Sequence, residues 1–112
     1  MNIIFDLETD GLLPDVSKIH CLAMTIEGAQ ASQIFANEDQ YDNLEQALEL
    51  MYAAEGLIGH NILGYDLPVL KKLLGWVPYK ETKISDTLVV SRLAYSHMMT
   101  LDSKKKHIPT KL

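Results

Sequence analysis

Asp6 and Glu8 close the apolar run Asn2-Ile3-Ile4-Phe5 and are followed at once by Thr9-Asp10-Gly11, so two carboxylates stand where a buried strand ends in a turn. Side chains two apart on a strand point the same way, and Asp6 and Glu8 are expected to converge on one point. Carboxylates held that close repel unless one is protonated or a divalent cation joins them. Hard cations such as Mg²⁺ or Mn²⁺ take carboxylate oxygen. The plainer reading is an acidic, solvated turn. A second informative segment is Gly59-His60-Asn61-Ile62-Leu63-Gly64-Tyr65-Asp66. Asp66 falls at a helix start, where it serves as an ordinary N-cap, with Asn61 a loop residue and Gly64 a turn glycine. Beside the Asp6/Glu8 strand, however, such an acid could supply a third oxygen, which makes Asp6, Glu8 and Asp66 the candidate metal ligands.

The elements that must position these residues are legible in the hydrophobic pattern. Ile3 to Leu7 reads as a short, fully apolar strand, and Ile19 to Ile26 and Gln33 to Ala36 as two more, divided by a Glu27-Gly28 turn. Asp42 or Asn43 can cap a helix with apolar positions Leu44, Ala47, Leu48, Met51 and Tyr52, with Gly56 as its stop. Leu57-Ile58-Gly59 is a short buried strand, and Asp66 to Leu74 a second helix, with Pro68 in its first turn and Gly75 past its end. After a loop from Trp76, Lys83-Ile84-Ser85 makes a final strand. Asp86 caps a helix from Thr87 to His97, with a buried face of Leu88, Val89, Arg92 and Leu93. Five strands and three helices in this order predict an α/β fold, a mixed sheet with flanking helices. Residues 1–100 form the expected domain, and the aperiodic stretch 101–112, with Lys104-Lys105-Lys106, an irregular basic tail.

At 112 residues the chain is one domain at most, large enough for a real core but at the small end for an enzyme. Its composition, 47% hydrophobic and 22% charged, is globular rather than disordered. The formal charge of −5 argues against a protein that coats nucleic acid by general electrostatics. It is compatible with a nuclease, because cations bound at an acidic site reverse the local field. With no charged leader and no apolar run near 20 residues, the chain is expected to be neither exported nor membrane-embedded. The single Cys21 cannot pair within the chain and fits a reducing cytoplasm. His20 and His107 have no companion ligands, and His60 stands out by position, beside the Asn61 to Asp66 segment.

Phe5-Asp6-Leu7-Glu8-Thr9 resembles the first motif of the DEDD, or DnaQ-like, 3′-to-5′ exonuclease superfamily, and Asn61 to Asp66 its second, Asn, three residues, Tyr, Asp. Lys18-Ile19-His20-Cys21 and Ser85-Asp86-Thr87-Leu88-Val89-Val90-Ser91-Arg92-Leu93 are similar to the proofreading domain of phage family-A DNA polymerases. The likeness covers nearly the whole chain and implies a ribonuclease H-like fold, C-terminally truncated. It also implies two-metal-ion hydrolysis at DNA 3′ ends with Mg²⁺ or Mn²⁺, and catalytic and metal-binding roles for Asp6, Glu8 and Asp66. Thr9, Gly11, Leu12, Leu13, Asn61 and Tyr65 would then shape the site or hold the terminal nucleotide. The implied partners are a single-stranded DNA 3′ end and a polymerase domain, in the cytoplasm of a bacterial host. The family's third motif, an aspartate preceded four to five residues earlier by Tyr or His, lies on a helix further downstream. Asp86 and Asp102 are the later aspartates here; Asp86 has no such partner, and His97 stands five before Asp102 in a segment without helical pattern. Two other readings stand beside this one: a non-catalytic module that binds single-stranded nucleic acid or a polymerase, and a phosphomonoesterase with Asp6 as nucleophile, whose usual second Asp and later Lys are not evident.

Overall fold

The computed structural model describes residues 1–37 and 43–104. Its elements are β1 (Asn2–Thr9), β2 (Ile19–Ile26), β3 (Gln33–Phe35), α1 (Leu44–Ala53) and β4 (Gly56–Gly59). A π-helical turn (Ile62–Asp66) then leads into α2 (Leu67–Leu74), β5 (Lys83–Asp86) and α3 (Thr87–Lys104). The strands form one mixed sheet in the order β3-β2-β1-β4-β5. β1, β2 and β3 pair antiparallel, whereas β4 lies parallel to both β1 and β5. The chain returns to the β1 edge through the α1 crossover, as a parallel neighbour requires.

The core lies on one face of this sheet. Ile3, Phe5, Leu7, Leu22, Met24, Phe35 and Leu57 from the strands meet Leu44, Ala47, Leu48 and Met51 of α1, and Val69 and Leu70 of α2. Burying each large side chain contributes about 1.5–3 kcal/mol. β1 is therefore not apolar on both faces: it alternates, with Ile3, Phe5 and Leu7 inward and Ile4, Asp6 and Glu8 outward. Alternation is what puts both acids on the same open face.

Asn43 caps α1 by accepting the Gln46 N–H at 3.1 Å; Asp42 lies outside the described residues. Gly56 does not stop this helix. It opens β4, where an added Cβ would meet Asn2 Oδ1 at 2.7 Å. α2 ends as expected at Gly75, whose φ of 67° is the left-handed conformation glycine adopts freely. α3 differs most from expectation. It runs on to Lys104, past His97 and through the start of the expected tail, because no Gly or Pro interrupts residues 87–104. Its expected buried face is absent: Leu88 is half-buried, while Val89, Arg92 and Leu93 are exposed. Lys105 and Lys106, His107 and the rest of the C-terminus lie outside the described residues.

Gly59 marks the closest approach between β4 and the turn that follows. A Cβ there would run into Ile62 Cγ2 and stand 3.0 Å from the Phe5 carbonyl oxygen. Overpacking of this kind costs about 1–3 kcal/mol, so Gly59→Ala should lower the urea midpoint of unfolding accordingly. An unchanged midpoint would mean that this contact does not constrain the turn.

Candidate functional site

β1 leaves β4 early. Their pairing covers Asn2 to Ile4, while the pairing with β2 on the other side continues to Thr9. The β1 edge beyond Ile4 therefore carries backbone groups that β4 does not meet, and a buried N–H needs another acceptor. For Leu7 that acceptor is Asp66, whose Oδ2 takes its N–H at 3.1 Å. Asp66 is 4% exposed. Its backbone is helical, with φ −60° and ψ −48°, and its side chain makes no capping hydrogen bond. The N-cap reading of Asp66 thus gives way to a carboxylate bonded to the β1 backbone at Leu7, the residue between Asp6 and Glu8 in sequence.

Burial pushes the Asp66 carboxyl up to about 6, and the negative charges of Asp6 and Asp86 add to that effect. The Leu7 N–H, which favours the ionised form, works against it. Asp6 and Asp66 are therefore close enough to interact electrostatically. Glu8 lies two residues along β1 on the same exposed face as Asp6. Among the described residues, no group of three or more His, Cys, Asp or Glu side chains is arranged to hold a metal ion. The donor chemistry is nevertheless that of hard cations, all carboxylate oxygen, with a buried acid whose ionisation a cation would favour.

The segment carrying Asp66 is built with care for its direction. Asn61 adopts a left-handed conformation, φ 57° and ψ 30°, which Asn tolerates better than most residues. Its carbonyl accepts the Tyr65 N–H at 2.9 Å, and its carboxamide packs where a Cβ on Gly64 would be, 2.6 Å from Oδ1. Gly64 is thus a close-packing glycine inside the π-helical turn rather than a plain turn residue. Such turns often mark functional positions. Tyr65 reaches the opposite way: its hydroxyl donates to the Gly11 carbonyl at 2.5 Å and pairs with the Thr9 hydroxyl.

The loop after β1 is closed at several further points that the sequence alone did not suggest. Asp10 Oδ1 accepts the N–H groups of Ser17 (2.9 Å) and Lys18 (3.1 Å), and Oδ2 accepts the Ser17 hydroxyl. These bonds hold the Asp10 carboxyl down at about 2. Lys72 on α2 donates from Nζ to the carbonyls of Leu13 (2.9 Å) and Pro14 (3.1 Å). Leu13 packs against the core, whereas Leu12 is 75% exposed. Of the two leucines expected near substrate, Leu12 is the free one. The cue missed in the sequence was Asp10, an acid in an Asp-Gly turn whose partners lie seven and eight residues away.

Sequence comparison places this geometry in a family. The RNase_H_2 family of the RNase_H superfamily matches residues 3–108. The chain belongs to that superfamily. This RNase H-like chain is also 33% identical over 106 residues to the DNA-directed DNA polymerase of Escherichia phage T7, covering 89% of this chain and 15% of that one. It therefore spans a small part of the relative's length. A solved structure of the family B DNA polymerase from Pyrobaculum calidifontis aligns with a TM-score of 0.48 and 21% identity, covering 71% of this chain and 12% of that one. Among the described residues no helix is long and apolar enough to cross a membrane.

The raised Asp66 carboxyl has a stability consequence with a definite sign. The folded chain binds this proton more tightly than the unfolded chain, so stability falls as pH rises from 3.8 to about 6. Asp66→Asn keeps an acceptor for Leu7 and removes the buried charge. Without divalent metal, this variant should melt about 4 °C or more above wild type at pH 7.5, with the gap closing by pH 4.5. Equal melting temperatures at pH 7.5 would show that Asp66 is not strained by its charge.

Proposed function

We propose that this chain is a 3′-to-5′ exonuclease-type domain of a DNA polymerase, acting on the 3′ end of single-stranded DNA with Mg²⁺ or Mn²⁺. The observation that carries the reading is the buried Asp66 carboxylate locked onto the β1 backbone between Asp6 and Glu8. Membership of the RNase H superfamily and the likeness to a phage DNA polymerase support it.

In this reading Asp6, Glu8 and Asp66 would hold the divalent ions, and the chemistry these would supply is activation of a water and neutralisation of the charge that develops at the scissile phosphate. Asp66 must give up its proton to bind a cation, so metal affinity should rise as pH passes through about 6. Tyr65 and Thr9 fix the Gly11 backbone, and Leu12, exposed on a loop braced by Asp10 and Lys72, offers an apolar contact to the terminal base. Such contacts grip a nucleotide without reading its identity. Asn61 shapes the turn behind the site.

A second reading, a non-catalytic module docked on a polymerase or on single-stranded nucleic acid, is favoured by the exposed apolar side chains of α3, with Val90 at 61% and Leu93 at 66% exposure. Cleavage of a 5′-labelled single-stranded DNA oligonucleotide separates the two. The exonuclease reading expects stepwise shortening that chelator abolishes and that Asp6→Ala reduces by about a hundredfold or more. Strand binding without cleavage, unaffected by chelator, would favour the docking module.

A further inference from the structure

Asp86 ends β5, and its carboxylate is 4% exposed. Backbone N–H groups from two elements converge on it. Oδ1 accepts from Asn61 at 2.8 Å and Leu88 at 2.9 Å, and Oδ2 accepts from Leu63 at 3.0 Å. The bond to Leu88 is the helix cap expected from the sequence. The bonds to Asn61 and Leu63 belong to a different element, the stretch between β4 and α2 that delivers Asp66. The adjacent Thr87 reinforces the same junction: its hydroxyl pairs with His60 Nδ1 at 2.9 Å and donates to the Gly59 carbonyl at 3.4 Å.

The geometry matters because the stretch it holds is the least regular part of the fold. Asn61 is the single non-glycine residue with positive φ among the described residues, and the π-helical turn follows at once. A left-handed residue before a rare helical turn persists when surrounding bonds over-determine it. Both Asp86 oxygens accept backbone N–H groups, so the carboxylate acts on the backbone. Burial pushes the Asp86 carboxyl up, but the backbone N–H bonds together outweigh that and hold it below the usual range.

We propose that Asp86 is a positioning residue for the acidic site: its carboxylate fixes the backbone at Asn61 and Leu63, and through the turn sets Asp66 against Leu7. This rests on the reading of Asp66 as a metal ligand. Groups that orient metal ligands typically cost about 10–100-fold in metal affinity when removed.

The test is calorimetric titration of MnCl₂ into the full 112-residue chain at low temperature, with amide hydrogen exchange measured on the same samples. Asp86→Asn keeps the oxygen that serves Asn61 and Leu88 and turns an NH₂ toward Leu63, whereas Asp86→Ala removes all acceptors. Both delete the same charge, so the difference between them reports geometry. Expected is Mn²⁺ binding weakened about tenfold in Asp86→Asn and further in Asp86→Ala. Exchange should quicken at Asn61 and Leu63 while Leu22 and Met24 of β2 keep their protection. Asp15→Asn, a surface charge control, should bind as wild type. Wild-type Mn²⁺ affinity in both Asp86 variants, with faster exchange at Asn61 and Leu63, would overturn the proposal and leave Asp86 a structural staple. If Asp86→Ala does not fold, Asp86→Asn is read with its exchange data: tenfold weakening together with faster exchange at Asn61 and Leu63 supports the proposal, and wild-type affinity, or weakening without faster exchange there, overturns it. Absence of Mn²⁺ binding by wild type would instead remove the metal reading of Asp66, and this inference with it.

Discussion

One hydrogen bond, from the Leu7 N–H to Asp66 Oδ2, joins the two acidic segments of this chain across 59 residues of sequence. It exists because β1 parts from β4 after Ile4, leaving a buried donor that a side chain must satisfy. Asp66 satisfies it while being removed from water, a costly arrangement for a carboxylate that a single N–H offsets in part. The resulting acid holds its proton up to about pH 6. In the proposed reading a cation would offset that cost. The rest of the molecule can be read as the means of keeping that group where it is.

Two sets of contacts do so from opposite sides. Behind the turn, Gly59 allows close approach to Phe5 and Ile62, and Asp86 gathers the N–H groups of Asn61 and Leu63. In front, Tyr65 ties the turn to Gly11, and Lys72 ties α2 to Leu13 and Pro14. The loop after β1 and the turn before α2 are thereby one braced unit. Among the described residues the core beneath is one-sided: α1 and α2 cover the face that bears Ile3, Phe5 and Leu7, and the face bearing Asp6 and Glu8 is open, with Ile4 and Ile34 exposed beside them. An open face is what a substrate or a further structural element would require.

Much of this was legible in the residues. Hydrophobic periodicity located all five strands and three helices, and the Asp-x-Glu-Thr and Asn-to-Asp segments pointed to the family that the sequence match then established. What escaped was set by tertiary context. Asp66 looks like an N-cap because Asp at a helix start usually is one, but the helix begins a turn earlier in π-helical form and the side chain is drawn to β1. Asp86 looks like a cap and is one, yet its second oxygen serves an element more than twenty residues away in sequence, which no local pattern encodes. Gly56 resembles a helix stop because glycine often is, whereas here the missing side chain makes room for Asn2. The length of α3 was underestimated because the apolar pattern stops after Met99, whereas no Gly or Pro interrupts residues 87–104.

The most direct test of the central claim is a titration of Mn²⁺ followed by two-dimensional NMR of the ¹⁵N-labelled chain. Paramagnetic broadening should begin at the amides around Asp6 to Glu8 and Tyr65 to Leu67, and should vanish from both segments together in Asp66→Ala. Broadening confined to one segment, or unchanged in Asp66→Ala, would contradict the view that Leu7 and Asp66 bring two acidic segments into a single site.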